Sequence, residues 1–432
     1  MAAEAGIASG LTAGEADELF APLLPATGIA VAVSGGADSV ALMHLLADWR
    51  RRAASHLPMR VLTVDHGLRE GSAAEAKRVA AWAAELALAH ETLRWTGPKP
   101  FSNLQAAART ARYRLLCEAC ARHGLSHLVT AHHLDDQAET LLLRLARGSG
   151  VDGLSAMSGS VMRGEIVHMR PLLDVPKDRL VATLREHGRT WIEDPSNGSD
   201  AFARARLRRL MPALAKEGLD ARRLAATARR LSRARAALEA SARHLERDVC
   251  AIDNAGFATV DLRELVRAEE EIGLRVLARV LMAVGGGTLP PRLDRLERLW
   301  AELGSASFSG ATLAGCALRP STDGLLVHRE WGREGLPRMA VPANTVAMWD
   351  NRFRIANGSG EDLEIAPLGR QLPPDASGEN LPPGVLAALP AACLGGRPVA
   401  APIPRWNGVE PYGELVELRF VELDLRRRVS VW

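Results

Sequence analysis

The chain of 432 residues lacks the features of several specialised classes of protein. Its five cysteines are odd in number and mostly scattered, which is typical of a reducing compartment and not of a disulfide-stapled secreted fold. No apolar run is long enough to span a membrane. No Lys or Arg precedes residue 50, which argues against secretory and mitochondrial targeting segments. We therefore predict a cytoplasmic protein with no membrane partner.

Neither positive nor negative charge is in large excess, because the net charge is only +3. Any basic surface must therefore come from local segregation of charge. Such segregation occurs between residues 201 and 247, where we expect long helices with few acids. The arginines of this span are Arg204, Arg206, Arg208, Arg209, Arg222, Arg223, Arg229, Arg230, Arg233 and Arg235. We predict nucleic-acid contact here in preference to a merely solvated helical surface.

Two well-known phosphate-binding motifs are absent, since GxxxxGK[ST] does not occur and no GxGxxG opens the first helix. Residues 28–43 instead read GIAVAVSGGADSVALM. This stretch predicts a buried strand at 29–33, a glycine turn at 34–39 and an apolar helix at 40–49. Strand, turn and helix in this order form an anion site, because the first N–H groups of the helix have no partner within it.

The turn supplies groups suited to a magnesium-bound phosphate. Gly35 and Gly36 lack the Cβ atoms that would keep a phosphate from the backbone, and Ser34 and Ser39 add hydroxyl donors. Asp38 would repel a bare phosphate, which indicates Mg²⁺ between the two. An ordinary glycine-rich turn is the competing interpretation. The six residues resemble the SGGxDS loop of the PP-loop (N-type ATP pyrophosphatase) family, whose members split ATP between its α- and β-phosphates.

Strands and helices are predicted to alternate through the first half of the chain, with strands at 29–33, 59–64, 91–95, 127–131 and 167–170. This alternation predicts a doubly wound parallel α/β sheet. Ligands of such sheets bind beyond the carboxyl ends of the strands, where Ser34, Asp65 and His132 all fall. We therefore expect the motifs that contain these residues to meet in one crevice.

We divide the chain into three domains. An α/β catalytic domain (1–218) is followed by a helical, arginine-rich domain (219–335) and a small α+β or β-rich domain (336–432). The features expected after residue 285 are short strands at 312–318, 324–328 and 345–355, a loop near 370–385 and a strand-like tail at 415–432.

Residues 131–140 read AHHLDDQAET and follow the fourth predicted strand. On a helix, Asp136 and Glu139 share a face at i, i+3 and form an acidic patch suited to an amine. A zinc site at His132, His133 and Asp136 would lack a further ligand at convincing spacing. Asp135 and Asp136 could also serve only to cap the helix.

The preceding helix carries Arg109 and Arg112, again at i, i+3. Either arginine could offer planar donors to a phosphate or pair with a surface acid. Cys117 and Cys120 form a CxxC pair, which would suit a metal or redox site. Because no second pair exists, we favour a buried helical face for them.

These motifs occur with others in one order: 34–39, 65–68, 108–113, 131–140, 147–150, 170–173 and 191–197. The ordered set resembles the tRNA(Ile)-lysidine synthetase family over about residues 28 to 215, and residues 348–353 (MWDNRF) are similar to a segment of that family's last domain. One departure lies at 202–206 (FARAR), where many relatives read Arg-Asn; Arg204 keeps the charge.

The resemblance implies that ATP adenylates the C2 oxygen of the wobble cytidine in a tRNA(Ile) with a CAU anticodon, and that free L-lysine then displaces AMP. Pyrophosphate is the other product. The arginine-rich helices and the C-terminal modules are expected to grip the tRNA. The implied ATP-binding residues are Ser34, Gly35, Gly36, Ala37, Asp38 and Ser39, with Asp38 also holding Mg²⁺. The implied lysine-binding residues are Asp136 and Glu139, and the implied catalytic residues are Asp38, Arg112, His133, Asp136 and Arg204.

In this scheme Arg112 and Arg204 neutralise charge on the α-phosphate, and either Asp136 or His133 accepts a proton from the amine. The nearest rival is a tRNA cytidine 2-thiolating enzyme that would use Cys117 and Cys120 with an iron–sulfur cluster. Two more distant hypotheses are a small-molecule amide-forming synthetase and a noncatalytic RNA-binding protein with a relic loop. A monomer or a homodimer is expected.

Overall fold

The computed structural model describes residues 8–67, 71–97, 99–100, 104–193, 203–322, 324–369, 381–403 and 408–421. The chain forms two compact units, Met1–Ala234 and Arg235–Trp432. The division into three domains at residues 218 and 335 stays a prediction. Parts of five predicted features lie outside the described residues: Leu68 of the 65–68 motif, 194–197 of the 191–197 motif, Phe202, the loop at 370–380 and the tail at 422–432.

The first unit is built around a six-stranded sheet in the order β3-β2-β1-β4-β6-β5. Its elements alternate as the sequence predicts. They are α1 (Ala13–Phe20), a short 3₁₀ turn (Ala21–Leu23), β1 (Ile29–Ala32), α2 (Ala37–Ala53), β2 (Met59–Asp65), α3 (Ser72–Glu85), β3 (Ala89–Arg94), α4 (Leu104–Arg122), β4 (His127–Val129), α5 (Leu134–Leu145), α6 (Val151–Leu154), β5 (Ser160–Arg163), β6 (Ile166–Met169), α7 (Lys177–Glu186) and α8 (Ala203–Lys216).

Strand β1 lies at the centre of this sheet and pairs in parallel with β2 and β4, so that Ile29 faces Met59 on one side and His127 on the other. Both of its faces are buried: Ile29 and Val31 join one hydrophobic cluster, and Ala30 and Ala32 join another. Helices therefore cover both faces, and the predicted doubly wound sheet is confirmed. The strand order reverses between β1 and β4, which opens a crevice at their carboxyl ends.

One edge of the sheet departs from the all-parallel prediction. Strand β5 pairs antiparallel with β6, with Ser160 opposite Met169. The sequence predicts no strand at this position, because Ser160–Arg163 is partly or fully exposed along its length and shows no apolar alternation. The two strands form a hairpin that turns at Gly164, whose φ is +64°.

The remaining described elements combine helices with three antiparallel sheets, ordered β7-β8-β11-β10-β9, β12-β15-β16-β17 and β13-β14-β18. The helices are α9 (Ala221–Val249), α10 (Leu262–Arg267), α11 (Glu270–Gly285), α12 (Leu293–Leu303), α13 (Pro383–Ala387) and α14 (Tyr412–Leu415). The strands are β7 (Cys250–Ile252), β8 (Ala258–Val260), β9 (Ala311–Leu313), β10 (Cys316–Ser321), β11 (Gly324–Arg329), β12 (Met339–Val341), β13 (Thr345–Trp349), β14 (Phe353–Asn357), β15 (Leu363–Pro367), β16 (Pro390–Leu394), β17 (Arg397–Ala400) and β18 (Val416–Phe420).

The structure corrects the strand predictions in this half of the chain. The described part of the span 219–335 contains five strands besides its helices. The predicted strand 312–318 is two strands joined at Ala314, whose φ is +53°, and the predicted strand 345–355 is a hairpin that turns at Asp350 and Asn351. Both turns need left-handed backbone, which ends a strand. Among the described helices, none has the length and apolar character needed to cross a membrane.

Candidate active site

The glycine turn is folded onto the first turn of α2. The backbone N–H of Ser34 donates to Ser39 Oγ at 3.2 Å, and Ser39 Oγ donates to the Gly36 carbonyl oxygen at 3.0 Å. Gly36 is the N-cap residue and brings no side-chain cap to the helix. The first N–H groups of α2 are therefore left for a ligand, in a region where the helix dipole favours an anion.

Gly35 is required by both its conformation and its surroundings. Its φ is +93°, and a Cβ built on it would lie 2.7 Å from Ile192 Cδ1. The Ile192 N–H also donates to the Gly35 carbonyl oxygen at 2.9 Å. Ile192 belongs to the motif at 191–197, so this motif supports the loop from behind, a contact that spacing in the sequence does not reveal.

Asp38 lies in the first turn of α2 and points toward two cationic groups. Its Oδ2 lies 3.4 Å from His133 Nε2 and 3.6 Å from Lys177 Nζ. Burial alone would raise the pKa of Asp38, but the hydrogen bond and charge of His133 and the charge of Lys177 outweigh it and lower that pKa. Asp38 Oδ1 is buried without a hydrogen-bond partner among the described residues. A lone carboxylate oxygen beside a phosphate site fits Mg²⁺, which takes few protein ligands and completes its shell with phosphate oxygens and water.

His133 follows β4 and lies among three carboxylates. Its Nε2 is 3.4 Å from Asp38 and 3.6 Å from Asp136, and its Nδ1 is 3.5 Å from Asp135. Burial alone would lower the pKa of His133, but these carboxylates outweigh it and raise that pKa to about 10. Carboxylates thus lie near both ring nitrogens and favour the cationic ring, although Nδ1 makes no hydrogen bond to the described residues.

The two acids predicted to bind lysine lie on α5, and one of them is engaged by another element of the same chain. Glu139 accepts from Arg208 of α8 at 2.5 Å (Nε to Oε1) and 3.3 Å (Nη2 to Oε2). Arg208 Nη2 also lies 3.7 Å from Asp136 Oδ1. The Glu139 side chain is only 4% exposed, whereas that of Arg208 is 40% exposed. The acidic patch therefore does bind a cationic nitrogen group, and in this structure the group is Arg208.

Two cations of the crevice escape prediction from the sequence. In the sequence, Arg208 is one of the arginines predicted to contact nucleic acid. It lies 69 positions from Glu139, so no local spacing indicates that the two residues are in contact. Lys177 is the second. It begins α7, its N–H donates to Asp135 Oδ2 at 3.0 Å, and its ammonium approaches Asp38. Nothing in the sequence predicts that this lysine lies at the crevice.

Arg112 and Arg204 lie where their charges act on His132, beside His133. Burial, followed by the charges of Arg170, Arg112, Arg109 and Arg204, lowers the pKa of His132 to about 3. Arg112 on α4 is partly buried, and Arg204 lies in the first turn of α8. The positive charges of Arg112 and Arg204 at this place suit a phosphate group.

Asp65 also lies at this edge of the sheet, as predicted. Its Oδ1 accepts from the Gly67 N–H at 2.8 Å, so it shapes the turn after β2. The hydrogen bond from Ser72, with Gly67 and Arg94, lowers the pKa of Asp65 against the effect of burial.

The described part of the chain does not support a zinc or an iron–sulfur site. No group of three or more His, Cys, Asp or Glu residues there has the geometry to hold a metal ion. Cys120 is buried in the core beside Leu116 and Ala119, and burial and Cys117 raise its pKa to about 12. The predicted buried face of α4 is thus confirmed for Cys120, whereas Cys117 is only partly buried.

Comparison of the sequence with known proteins identifies its family. The family described as PP-loop domain matches residues 11–214. The tRNA(Ile)-lysidine synthase of Bradyrhizobium diazoefficiens is 47% identical over 320 residues, covering 71% of this chain and 86% of the relative. The chain belongs to the tRNA(Ile)-lysidine synthase family. The family member of Ruegeria pomeroyi is 40% identical over 382 residues and covers 88% of this chain and 89% of its own length.

A solved structure, that of the U34-tRNA thiolase NcsA from Methanococcus maripaludis, matches at 16% identity with a TM-score of 0.45, over 51% of this chain and 77% of that chain. This likeness carries no inference about function. The match to the PP-loop domain, over residues 11–214, includes the loop at 34–39 and the acids of α5.

Proposed function

We propose that the chain is an ATP-dependent ligase that attaches free L-lysine to C2 of the wobble cytidine in tRNA(Ile) with a CAU anticodon, releasing AMP and pyrophosphate. One observation carries the proposal. A phosphate-type loop (34–39) follows β1, and an acid pair that binds a cationic nitrogen (Asp136 and Glu139) follows the adjacent parallel strand β4. The nucleotide and the amine are thereby brought to one crevice.

At the nucleotide end, residues 34–39 hold the β- and γ-phosphates against the first turn of α2, which neutralises the leaving pyrophosphate. Lys177 stands beside Asp38 at 3.6 Å and adds a mobile positive charge to the same group. Arg112 and Arg204 balance charge on the α-phosphate while it is transferred to the cytidine C2 oxygen. Adenylation turns that oxygen into part of a good leaving group, AMP.

Mg²⁺ is proposed at Asp38, whose buried Oδ1 has no hydrogen-bond partner among the described residues. When bound, it would supply charge neutralisation between the carboxylate and the phosphate oxygens. His133 keeps the aspartate cluster from being a purely negative site, because its ring lies between Asp38, Asp135 and Asp136.

At the amine end, the side-chain ammonium of lysine, with a reference pKa of about 10.4, arrives protonated. We place it between Asp136 and Glu139, where it displaces the Arg208 guanidinium. One proton must leave before the amine attacks C2. Between Asp136 and His133 as its acceptor, the geometry favours Asp136, because both ring nitrogens of His133 already face carboxylates.

The RNA would be gripped in part by the arginines of α8 and α9. Arg222, Arg230 and Arg233 are exposed and have no carboxylate partner among the described residues. This arrangement favours contact with phosphates. A single-stranded anticodon loop suits the crevice, since its bases can turn outward. Oligomeric state and cytoplasmic location stay predictions.

The direct test is to incubate the protein with tRNA(Ile) bearing a CAU anticodon, ATP, Mg²⁺ and isotope-labelled lysine, and to analyse the nucleosides by mass spectrometry. We expect label in a lysine-substituted cytidine, with AMP and pyrophosphate formed in equal amounts. A methionine tRNA with the same anticodon serves as the control and should stay unlabelled. Release of ADP and orthophosphate without an adenylated base would refute the proposal.

A further inference from the structure

A second cavity of the first unit lies outside the ATP loop and the acid pair. It is a groove of about 500 Å³ between α4 and the β5–β6 hairpin. We call it the Tyr113 groove; its principal lining residues are Arg109, Tyr113, Arg114, Cys117, Met162 and Arg163. The hairpin that forms one wall includes the strand that the sequence does not predict. The chemistry of adenylation and lysine transfer gives this groove no role.

The groove carries positive charge that no acid of the described residues compensates. Arg114 pairs with Glu118 at 2.9 Å and adds little net charge. The guanidinium carbons of Arg109 and Arg163 lie 5.2 Å and 3.8 Å from the centre of the Tyr113 ring, and neither arginine has a carboxylate partner among the described residues. The lining residues include no Asp or Glu from the described part of the chain. Two such guanidinium groups on one aromatic ring form a binding place for an anion.

Hydrogen bonds hold this charge in place and connect it to the crevice. Thr130 Oγ1 lies 2.9 Å from His132 Nδ1 and 2.9 Å from His168 Nε2. His168 Nδ1 in turn accepts from Arg163 Nε at 3.1 Å and lies 3.3 Å from Arg170 Nη2. The series of contacts therefore runs from the loop after β4 to the wall of the groove. His168 is wholly buried, and both of its ring nitrogens are engaged in hydrogen bonds. It therefore fixes the orientation of Arg163.

We propose that the Tyr113 groove binds the sugar–phosphate backbone of the substrate tRNA, at a nucleotide of the anticodon loop other than the one that is modified. Arg109 and Arg163 bind the phosphate. The face of Arg163 directed away from Tyr113 offers a flat cationic surface on which a neighbouring base stacks. The inference rests on the proposed tRNA substrate and adds to it a contact that positions the strand beside the crevice.

The test compares tRNA binding by Arg109→Gln and by a control, Arg185→Gln, in the full-length protein. Arg109 is exposed, so its replacement leaves the core intact. Arg185 is also exposed but lies near the C-terminal end of α7, eight residues beyond Lys177 and so about 12 Å along the helix from the crevice. Both variants lose one positive charge. Affinity is measured without ATP by fluorescence anisotropy over a range of salt concentrations.

We expect Arg109→Gln to weaken tRNA binding about tenfold and to lower the slope of log Kd against log salt by about 0.7, the value for one phosphate contact on a single strand. Arg109→Lys should recover most of the affinity, because it retains the charge. Arg163→Gln should act like Arg109→Gln, with its folding checked by thermal unfolding. The KM values for ATP and lysine should not change in any of these variants.

Two results would overturn the inference. In one, Arg109→Gln and Arg163→Gln bind tRNA as the Arg185→Gln control does, while the wild type still forms lysidine; the groove assignment then fails and the proposed function stands. In the other, the KM for ATP rises while tRNA affinity is unchanged, which would make the groove part of the nucleotide site. A wild-type protein that neither binds nor modifies tRNA would instead refute the proposed function itself.

Discussion

At the scale of single residues, Asp38 is the most sharply defined member of the crevice, because one of its oxygens is buried and has no hydrogen-bond partner among the described residues. We expect Asp38→Ala to lower lysidine formation by about 100-fold or more, since the carboxylate proposed to hold Mg²⁺ at the leaving pyrophosphate is lost. The tRNA Kd should stay within about twofold of the wild-type value, because Asp38 faces the nucleotide and not the RNA backbone. Single-turnover assays and anisotropy measure the two quantities.

The matched control for this variant is Asp48→Ala, on the same helix, where Asp48 pairs with Arg51 on the surface. Its turnover should equal that of the wild type. Loss of tRNA binding together with turnover in Asp38→Ala would point to a structural role for the aspartate.

Glu139 is the residue on which the assignment of the amine site depends. Glu139→Gln should raise the KM for lysine by about tenfold or more, since a hydrogen bond to a charged group is lost, and should leave the KM for ATP unchanged. The control is Glu85→Gln on α3, an exposed acid 3.7 Å from Arg189. Initial rates at varied lysine and saturating ATP measure the effect.

A substitution of Arg208, the partner of Glu139, tests the same amine site. If lysine displaces it from Glu139, Arg208→Gln should lower the KM for lysine severalfold, because a competing cation is removed. A higher KM in this variant would show that Arg208 remains in the pocket and helps to hold the substrate.

His168 makes the stability of the first unit depend on pH. Burial, followed by the charges of Arg170 and Arg163, lowers the pKa of His168 to about 2, against 6.5 for a free histidine. The unfolded chain therefore binds more protons below pH 6.5, and the free energy of unfolding should fall by roughly 1 kcal/mol per pH unit as the pH drops from 6.5 toward 2. Urea unfolding at about pH 7, 6 and 5 measures this slope. His168→Gln should show a shallower slope, and an unchanged slope would contradict the assignment.

At the scale of elements, the loop between β1 and α2 depends on one backbone conformation. Gly35→Ala places a Cβ at positive φ and 2.7 Å from Ile192 Cδ1. The left-handed conformation alone costs about 1 to 2 kcal/mol for a residue with a Cβ. We expect a lower Tm and a KM for ATP raised about tenfold, because the loop must shift away from the helix N-terminus. Gly14→Ala, with nothing within 4 Å of its added Cβ, is the control and should leave the KM for ATP unchanged without lowering the Tm.

The elements also show what could be predicted from the sequence. Strand β1 and its loop are predictable because their signals are local: an apolar run followed by two glycines. Strand β5 is not, because it is an exposed edge strand whose polar residues follow no period. The turn at Asp350 and Asn351, with φ values of 49° and 54°, carries a hairpin signal that is present in the sequence, and the prediction of a continuous strand there was wrong.

The candidate site likewise contains residues that the sequence predicts and contacts that it does not. Asp38, Asp136 and Glu139 could be proposed because they belong to contiguous motifs. The contacts of Glu139 with Arg208 and of Asp38 with Lys177 join residues far apart in the chain. Such contacts depend on how the helices pack, and no residue spacing encodes them.

At the scale of the whole molecule, a net charge of +3 conceals a marked local excess of arginine on α8 and α9. We expect the double variant Arg230→Gln/Arg233→Gln to weaken tRNA binding and reduce its salt dependence by up to about 1.8, for two duplex phosphates, with the KM for ATP unchanged. Filter binding at several salt concentrations measures the effect.

The matched control is Arg51→Gln/Arg52→Gln at the far end of α2, where both arginines pair with acids. It changes the net charge by the same amount and should leave binding nearly unaltered. Equal effects in the two double variants would mean that total charge, and not its position, governs the affinity.

The adjacency of β1 and β4 has a consequence for redesign. The strand that presents the phosphate loop and the strand that presents the acid pair are neighbours in one rigid sheet, yet they belong to separate stretches of chain. An engineer who exchanges Glu139, and keeps the residues after β1 and the contact of His133 with Asp38, therefore alters the amine site and leaves the nucleotide site in place. Variants of this kind could therefore offer other primary amines to the same pyrimidine.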